Sequence, residues 1–232
     1  MAIDKNDLLK LRPCAYHTCS AHNYQSIRAE GRLLPASTLL EGGSIEPGRH
    51  RKESVTVRGA HGHVVLRDHR QFALGAVEIE GGGAPTTYIG EQLDGRVFFW
   101  PGDQRRPIAT GRRHYEKYCN VEPLVVIRVS LGDLLACNPS TPFEVTRCNS
   151  GSARKQYGHK VLRGPSIFQT LDRAPWRVRQ VIEFTFRGPI TLPLNIESSP
   201  HWSGPWMRVW PANQARANGT SVAQQQERSA IR

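Results

Sequence analysis

The sequence predicts one mixed α+β domain in which many short strands outnumber a few short helices. Three observations carry this. Dense β-type runs recur along the chain, at residues 96–100 (RVFFW), 124–129 (LVVIRV) and 181–186 (VIEFTF). Breakers such as GGGAP at 81–85 separate the elements, and no repeat is visible. The composition, 38% hydrophobic and 22% charged over 232 residues, is that of a globular chain and excludes a wholly disordered chain, a collagen or a coiled coil.

Taken in order, residues 4–12 carry a short helix with Asp4 or Asn6 available as N-cap. Residues 15–19 read as a strand. Residues 23–31 read as a helix, with Tyr24 and Ile27 three apart and Gly31 where a left-handed stop belongs. Residues 41–63 mix Gly, Pro, His and Arg without periodicity and read as a mobile basic loop, with 55–57 and 63–66 as short strand candidates. A helix is expected over 88–93. The run 96–100 is expected to stop at Pro101 and Gly102, and 114–118 is helical. LVVIRV gives the strongest buried-strand signal and is followed by a turn of helix over 130–136. Residues 143–147 and 181–186 complete the strands, with a polar loop at 149–157 between them. Trp202, Trp206 and Trp210 have the spacing of a helical stripe, but Pro200, Gly204, Pro205 and Pro211 oppose a long helix. From residue 211 onward the chain is too poor in apolar side chains to offset its ordering entropy. The domain is therefore read as 1–210, with 211–232 a disordered tail.

Lys and Arg total 31 against 20 Asp and Glu, a net charge of +11, and Arg predominates. The planar guanidinium matches phosphate oxygens, so a nucleic acid or phosphorylated ligand is one reading of that charge and plain solubility is the other. Five irregularly spaced cysteines, Cys14, Cys19, Cys119, Cys137 and Cys148, argue against a disulfide framework and for a reducing compartment. Cys14, His17, Cys19 and His22 crowd four possible ligands together without a CxxC pair, so no metal site is expected. No apolar run has the length of a membrane span or a signal peptide, and a cytoplasmic protein without membrane contact is expected. The absence of GxxxxGK[ST], GxGxxG after a strand, HExxH and GxSxG weighs against P-loop ATPases, Rossmann dehydrogenases, zincins and α/β-hydrolases.

Two residues stand out. Glu183 lies inside VIEFTF, where an unpaired carboxylate would be costly to bury. If Ile182, Phe184 and Phe186 face the core, alternation puts Val181, Glu183 and Thr185 on the opposite face. Periodicity alone favours an ordinary solvent-facing residue there; the other reading is a carboxylate on the floor of a cleft. His17, in Tyr16-His17-Thr18, is either a satisfied structural histidine or a donor to a ribose hydroxyl or amide oxygen.

Tyr16-His17-Thr18 is followed by Tyr24, Ser26, Ile27, Gly31, Leu33 and Leu34, then by RVFFW. Asn149-Ser150-Gly151 and finally Glu183-Phe184 with Pro189 close the series. This series, over roughly residues 15–193, resembles the DarT family of bacterial toxins that ADP-ribosylate DNA, and related bacterial proteins of unknown function. The resemblance implies a split fold in which two antiparallel sheets, with few peripheral helices, clasp NAD as co-substrate. It implies Glu183 as the catalytic glutamate and a cofactor site formed by His17, Tyr16, Thr18, Asn149 and Ser150. It also implies a pyrophosphate-binding Arg just after the aromatic strand. Residues 101–104 intervene here before Arg105 and Arg106, and Arg96 is an equal candidate.

The chemistry suits these residue types. Cleavage of a nicotinamide–ribose bond passes through an oxocarbenium-like state that a carboxylate on the ribose 2′-OH stabilises. Phe98, Trp100 or Tyr115 could stack on nicotinamide or a target base. Arg67, Arg70, Arg154, Lys155 and Arg179 could hold a nucleic-acid substrate by its phosphates while a pocket reads the base. The expectation is an NAD-dependent ADP-ribosyltransferase of toxin or effector type that modifies nucleic acid and is neutralised by an antitoxin or immunity protein. Transfer to a protein side chain, a free nucleotide or water is the first alternative. A non-catalytic nucleic-acid-binding module is the second.

Overall fold

The computed structural model describes residues 2–209. Helix α1 (Lys5–Leu11) begins where Asp4 accepts the Asp7 backbone N–H at 2.9 Å. Strand β1 (Cys14–Ser20) runs straight into α2 (Ala21–Glu30), capped by Ser20 and closed by Gly31 at φ 64°, a left-handed conformation that favours glycine. Next come β2 (Arg32–Leu33), α3 (Ala36–Leu40), the hairpin β3 (Val55–Gly59) and β4 (Gly62–Leu66), and β5 (Val77–Ile79). Helix α4 (Pro85–Tyr88) continues as a π-helical turn through Leu93. The rest of the order is β6 (Arg96–Gly102), α5 (Ala109–Tyr118), β7 (Leu124–Ser130), α6 (Leu131–Cys137), β8 (Phe143–Thr146), β9 (Val161–Arg163), β10 (Glu183–Arg187), β11 (Ile190–Thr191), β12 (Ile196–Ser199) and β13 (Met207–Val209).

Seven of these strands form the main sheet in the order β13-β12-β7-β1-β6-β10-β8, and every neighbouring pair is antiparallel. The fold is therefore mixed α+β, built on a large antiparallel sheet with few helices. The run LVVIRV lacks polar alternation because both faces of β7 are covered: Ile127 and Val129 enter one apolar cluster, Leu124 and Val126 another. The first cluster also takes Val97 and Phe99 of β6 and Phe184 and Phe186 of β10. Burying each such phenylalanine contributes about 2 kcal/mol. No helix among the described residues is long and apolar enough to cross a membrane.

Strand β6 serves two partners in succession. Its first half, Arg96 to Phe99, pairs with β10, and its last three residues, Trp100 to Gly102, pair with β1 back to Cys14. Beyond Tyr16, β1 keeps only β7 as a neighbour. The sheet thus parts between His17 and Phe99, and the opening faces the segments that carry β4 and the 149–151 loop.

Three expectations need correction. Strand β6 does not stop at Trp100. The Pro101 carbonyl accepts the Ile108 N–H, pointing away from β1, so the missing proline donor costs no ladder bond. The two strand candidates near the end of segment 41–63 form hairpin β3–β4, but the rest of it is not a free loop, since Arg51 and Gly48 anchor it to Asp94. Gly48, at φ 85°, packs its backbone on Gly90, where a β-carbon would come within 2.7 Å of the Thr86 carbonyl oxygen. Val181 lies in the same apolar cluster as Phe184, not beside Glu183, because a 3₁₀ turn over Val178–Gln180 breaks the alternation before β10 begins. As Pro200, Gly204 and Pro205 lead one to expect, Trp202 and Trp206 form no helix. They lie in the turn leading to β13 and pack on the cluster around Tyr16 and Tyr115. Trp210 and the tail 211–232 fall outside the described residues.

Candidate active site

Two cavities occupy the opening in the sheet, of about 280 and about 220 Å³. They share a wall formed by His17 and Thr18 of β1, Asp68, His69, Leu93 and Phe98. The larger extends over α2, α3 and β4; the smaller holds Asn149, Ser150, Gly151 and Glu183.

Glu183 is the first residue of β10 and is 3% exposed, so it is not the solvent-facing residue that periodicity favours. One carboxyl oxygen, Oε2, accepts the Ser150 N–H at 3.1 Å and lies 3.1 Å from the Thr146 hydroxyl. The other, Oε1, receives no hydrogen bond from the described residues, and the side chain lines the smaller cavity. Burial pushes the pKa of Glu183 up to about 7, against the hydrogen bonds from Ser150 and Thr146, which pull it down. Thr146 has one hydroxyl proton, which the Cys148 carbonyl accepts at 2.6 Å. A protonated Glu183 can donate to Thr146 without breaking that bond. The supporting loop is fixed in turn. The Tyr88 hydroxyl donates to the Ser150 carbonyl at 3.2 Å, and Ala153 exchanges backbone hydrogen bonds with residues 71–73.

His17 stands across the opening. Its Nδ1 lies 3.0 Å from the Phe98 carbonyl oxygen, which can only accept, so Nδ1 carries the proton. Burial lowers the His17 pKa, the ring is neutral, and Nε2 is left as a bare acceptor. In this tautomer Nε2 is an acceptor, not the donor that one of the two readings of His17 expects.

A family model matches residues 13–190, and its description is a family of unknown function, DUF7002. The chain belongs to that family. The match spans every residue that lines either cavity. Among curated proteins and solved structures, nothing matches.

In this DUF7002 chain the smaller cavity has an aromatic wall. Phe98 and Trp100 reach it as expected, but Tyr115 does not: its ring packs on His201 and its hydroxyl donates to the Pro200 carbonyl. His114 and Tyr118 of α5 fill that place, with His114 5.3 Å from Trp100 and 5.1 Å from Tyr118 between ring centres. Burial, with the charges of Arg67 and Lys117, pushes the His114 pKa down to about 3, so this ring too is neutral. The arrangement offers a slot for a planar ring beside an open carboxyl oxygen.

The remaining candidates divide. Thr18 lines both cavities, and Asn149 and Ser150 line the one that holds Glu183. Tyr16 lines neither: it lies in the stretch of β1 still paired with β6, where its ring packs on Trp206 and its hydroxyl donates to the Asp103 carbonyl at 2.6 Å. Arg96 touches the larger cavity, but its guanidinium is engaged: Nε pairs with Glu144 at 2.9 Å, Nη1 with Gln92, and the plane stacks on Phe168. Arg105 and Arg106 are exposed and outside both cavities. Arg67 is better placed than any of these. It lines the larger cavity beside the shared wall, stacks on Tyr118, and has a buried Nη2 without a hydrogen-bond partner. Arg70 and Arg154 line neither cavity; they lie near Lys117, whose pKa is lowered by burial and further by their charges. Lys155 follows Arg154 on the exposed loop, whereas Arg179 lies near Arg12 and Asp103 and away from the opening.

Proposed function

We propose that the chain is an NAD-dependent ADP-ribosyltransferase that modifies a nucleic-acid base, on the split two-sheet architecture its sequence resembles. The observation that carries the reading is the placement of Glu183, with Oε1 open, opposite the acceptor Nε2 of His17 in the gap between β1 and β6. Two joined cavities suit a two-lobed dinucleotide. On this reading the nicotinamide ring lies against Trp100 and His114, Arg67 meets the pyrophosphate, and His17 accepts from a ribose hydroxyl. The nicotinamide ring of NAD is cationic. Beside Glu183 it favours the ionised carboxylate, which then takes the 2′-OH hydrogen bond and tightens it as charge develops at C1′. The C1′–N bond breaks, neutral nicotinamide leaves, and the acceptor atom bonds to C1′ and loses its proton. A product of this kind would be toxic to a cell that cannot remove it, so a neutralising protein partner is expected.

Wild-type protein incubated with NAD labelled in its adenylate, and separately with DNA, RNA or total protein, is expected to place label on nucleic acid and release nicotinamide. Label on protein alone would keep the chemistry and overturn the acceptor. With neither label transfer nor nicotinamide release, the enzyme reading falls and a nucleic-acid-binding module takes its place. His17→Phe should weaken NAD binding about three- to ten-fold by calorimetry, the worth of one hydrogen bond. Because burial lowers the pKa of the ring below its usual value of 6.5, that loss should be the same at pH 7.5 and pH 9.

A further inference from the structure

The loop that begins at the Glu183 wall ends in a feature that neither turn chemistry nor packing explains. Gln156 and His159 exchange both backbone hydrogen bonds, at 3.0 and 2.9 Å, which closes a two-residue hairpin over Tyr157 and Gly158. Both central residues have positive φ, 50° and 81°, the signature of a type I′ turn. Such turns favour Asn-Gly. Gly158 fits, but Tyr157 is the one non-glycine residue with positive φ among those described, and a bulky side chain is disfavoured there. Tyr157 gains nothing in return, since its side chain is fully exposed. Around it the sequence RKQYGHK (154–160) has Arg154, Lys155 and Lys160 and no acidic residue. The base of the loop is rigid: Ala153 is buried and bonded to residues 71–73, and Arg163 donates to the Ser152 carbonyl at 2.7 Å. Tyr157 lies six positions along the chain from Gly151 on the cavity wall, a reach of at most about 20 Å.

We infer that Tyr157 is a specificity-determining contact for the acceptor: an unpaired base of a nucleic-acid strand stacks on its ring while Arg154, Lys155 and Lys160 hold the adjoining phosphates. An exposed aromatic ring among cations is the arrangement that binds single strands, because every base presents a π face, whereas a duplex keeps its bases stacked on one another. The inference rests on the acceptor class proposed above but not on the transfer chemistry, and binding can be measured without NAD.

Fluorescence anisotropy with labelled single-stranded DNA, single-stranded RNA and duplex DNA, on the full chain, tests it. Tyr157→Asn should weaken single-strand binding about ten-fold. The same change should raise Tm by about 2–4 °C, since Asn suits the turn better. The salt dependence should stay the same in that variant, because no phosphate contact is lost. Arg154→Gln with Lys155→Gln should instead flatten the salt slope by about 1.4. Tyr157→Trp should bind as tightly as wild type. Binding by Tyr157→Asn at the wild-type level, equal binding of duplex and single strand, or no binding by wild type would each overturn the inference. Weakened binding in a protein that never transfers label from NAD would sustain it and overturn the transferase reading. Preference between the DNA and RNA strands identifies which sugar the site accepts.

Discussion

Glu183→Gln is expected to lower NAD-dependent transfer by about 10²–10³-fold while leaving NAD binding near the wild-type level. Glutamine has nearly the shape of glutamate and can still accept the Ser150 N–H, so the 149–151 loop should keep its place. What it lacks is the negative charge that strengthens the ribose contact as C1′ becomes positive. The loss should therefore fall on kcat rather than on KM. A variant that transfers label and releases nicotinamide at wild-type rates would show that Glu183 is not the catalytic group. In wild type, activity on free enzyme should rise with pH through about 7, as the buried carboxyl ionises.

The same substitution has a stability signature of opposite sense. Burial raises the folded-state pKa of Glu183 from 4.5 to about 7, so the native chain holds this proton to a higher pH than the unfolded chain does. Between those values the unfolded state binds fewer protons, and stability falls as pH rises. Below about 4.5 both states are protonated and the contribution is complete; above about 7 it has been lost. Glutamine does not titrate. Glu183→Gln should match wild type near pH 4.5 and exceed it by up to about 3 kcal/mol near pH 9, read by denaturant midpoints at both pH values. An inactive but more stable variant is the pattern of a residue kept for its charge rather than for its packing.

Much of the frame is legible in the sequence, because its signals are local. Asp4, Ser130 and Gly31 cap the helices where their chemistry demands, and LVVIRV and RVFFW form strands because apolar β-type residues need cover on both faces. Strands β12 and β13 are not legible. Ile196–Ser199 is polar and short, and becomes a strand only because β7 presents a free edge to it. The site divides along the same line. Glu183 and His17 are visible as polar residues inside strands, but proximity in sequence misplaces Tyr16, whose stretch of β1 is still paired with β6 and covered by Trp206. His114, Lys117 and Tyr118 share a helix whose pattern does not reveal which side meets a cavity made by distant strands. Arg67 is recognisable as basic; only the fold separates it from the engaged Arg96 and shows its unpartnered Nη2.

The largest loss of stability is expected at a residue that touches no reacting atom in this scheme. Asp94 is 1% exposed and accepts from Arg51 Nη2 at 2.9 Å and from the Gly48 N–H at 2.9 Å. Arg51 is itself buried, and its other bonds go to the Arg67 carbonyl through Nε and to His69 through Nη2. His69 supplies no charge to this cluster: burial and the Arg51 cation push its pKa down to about 4, so at neutral pH it is an imidazole that accepts from the guanidinium. Asp94 is therefore the counter-charge of a buried cation, and Asp94→Asn should cost about 3–5 kcal/mol in chemical denaturation. The loss should be felt first in the segment 41–54, which Asp94 ties to the wall of the larger cavity, so hydrogen exchange should rise there before it rises in β7. Replacing both partners, Asp94→Leu with Arg51→Met, should recover more than half of the stability, because no charge is then left unpaired. If the double variant is as unstable as Asp94→Asn, the hydrogen bonds to Gly48, Arg67 and His69, rather than the charge, hold this wall in place.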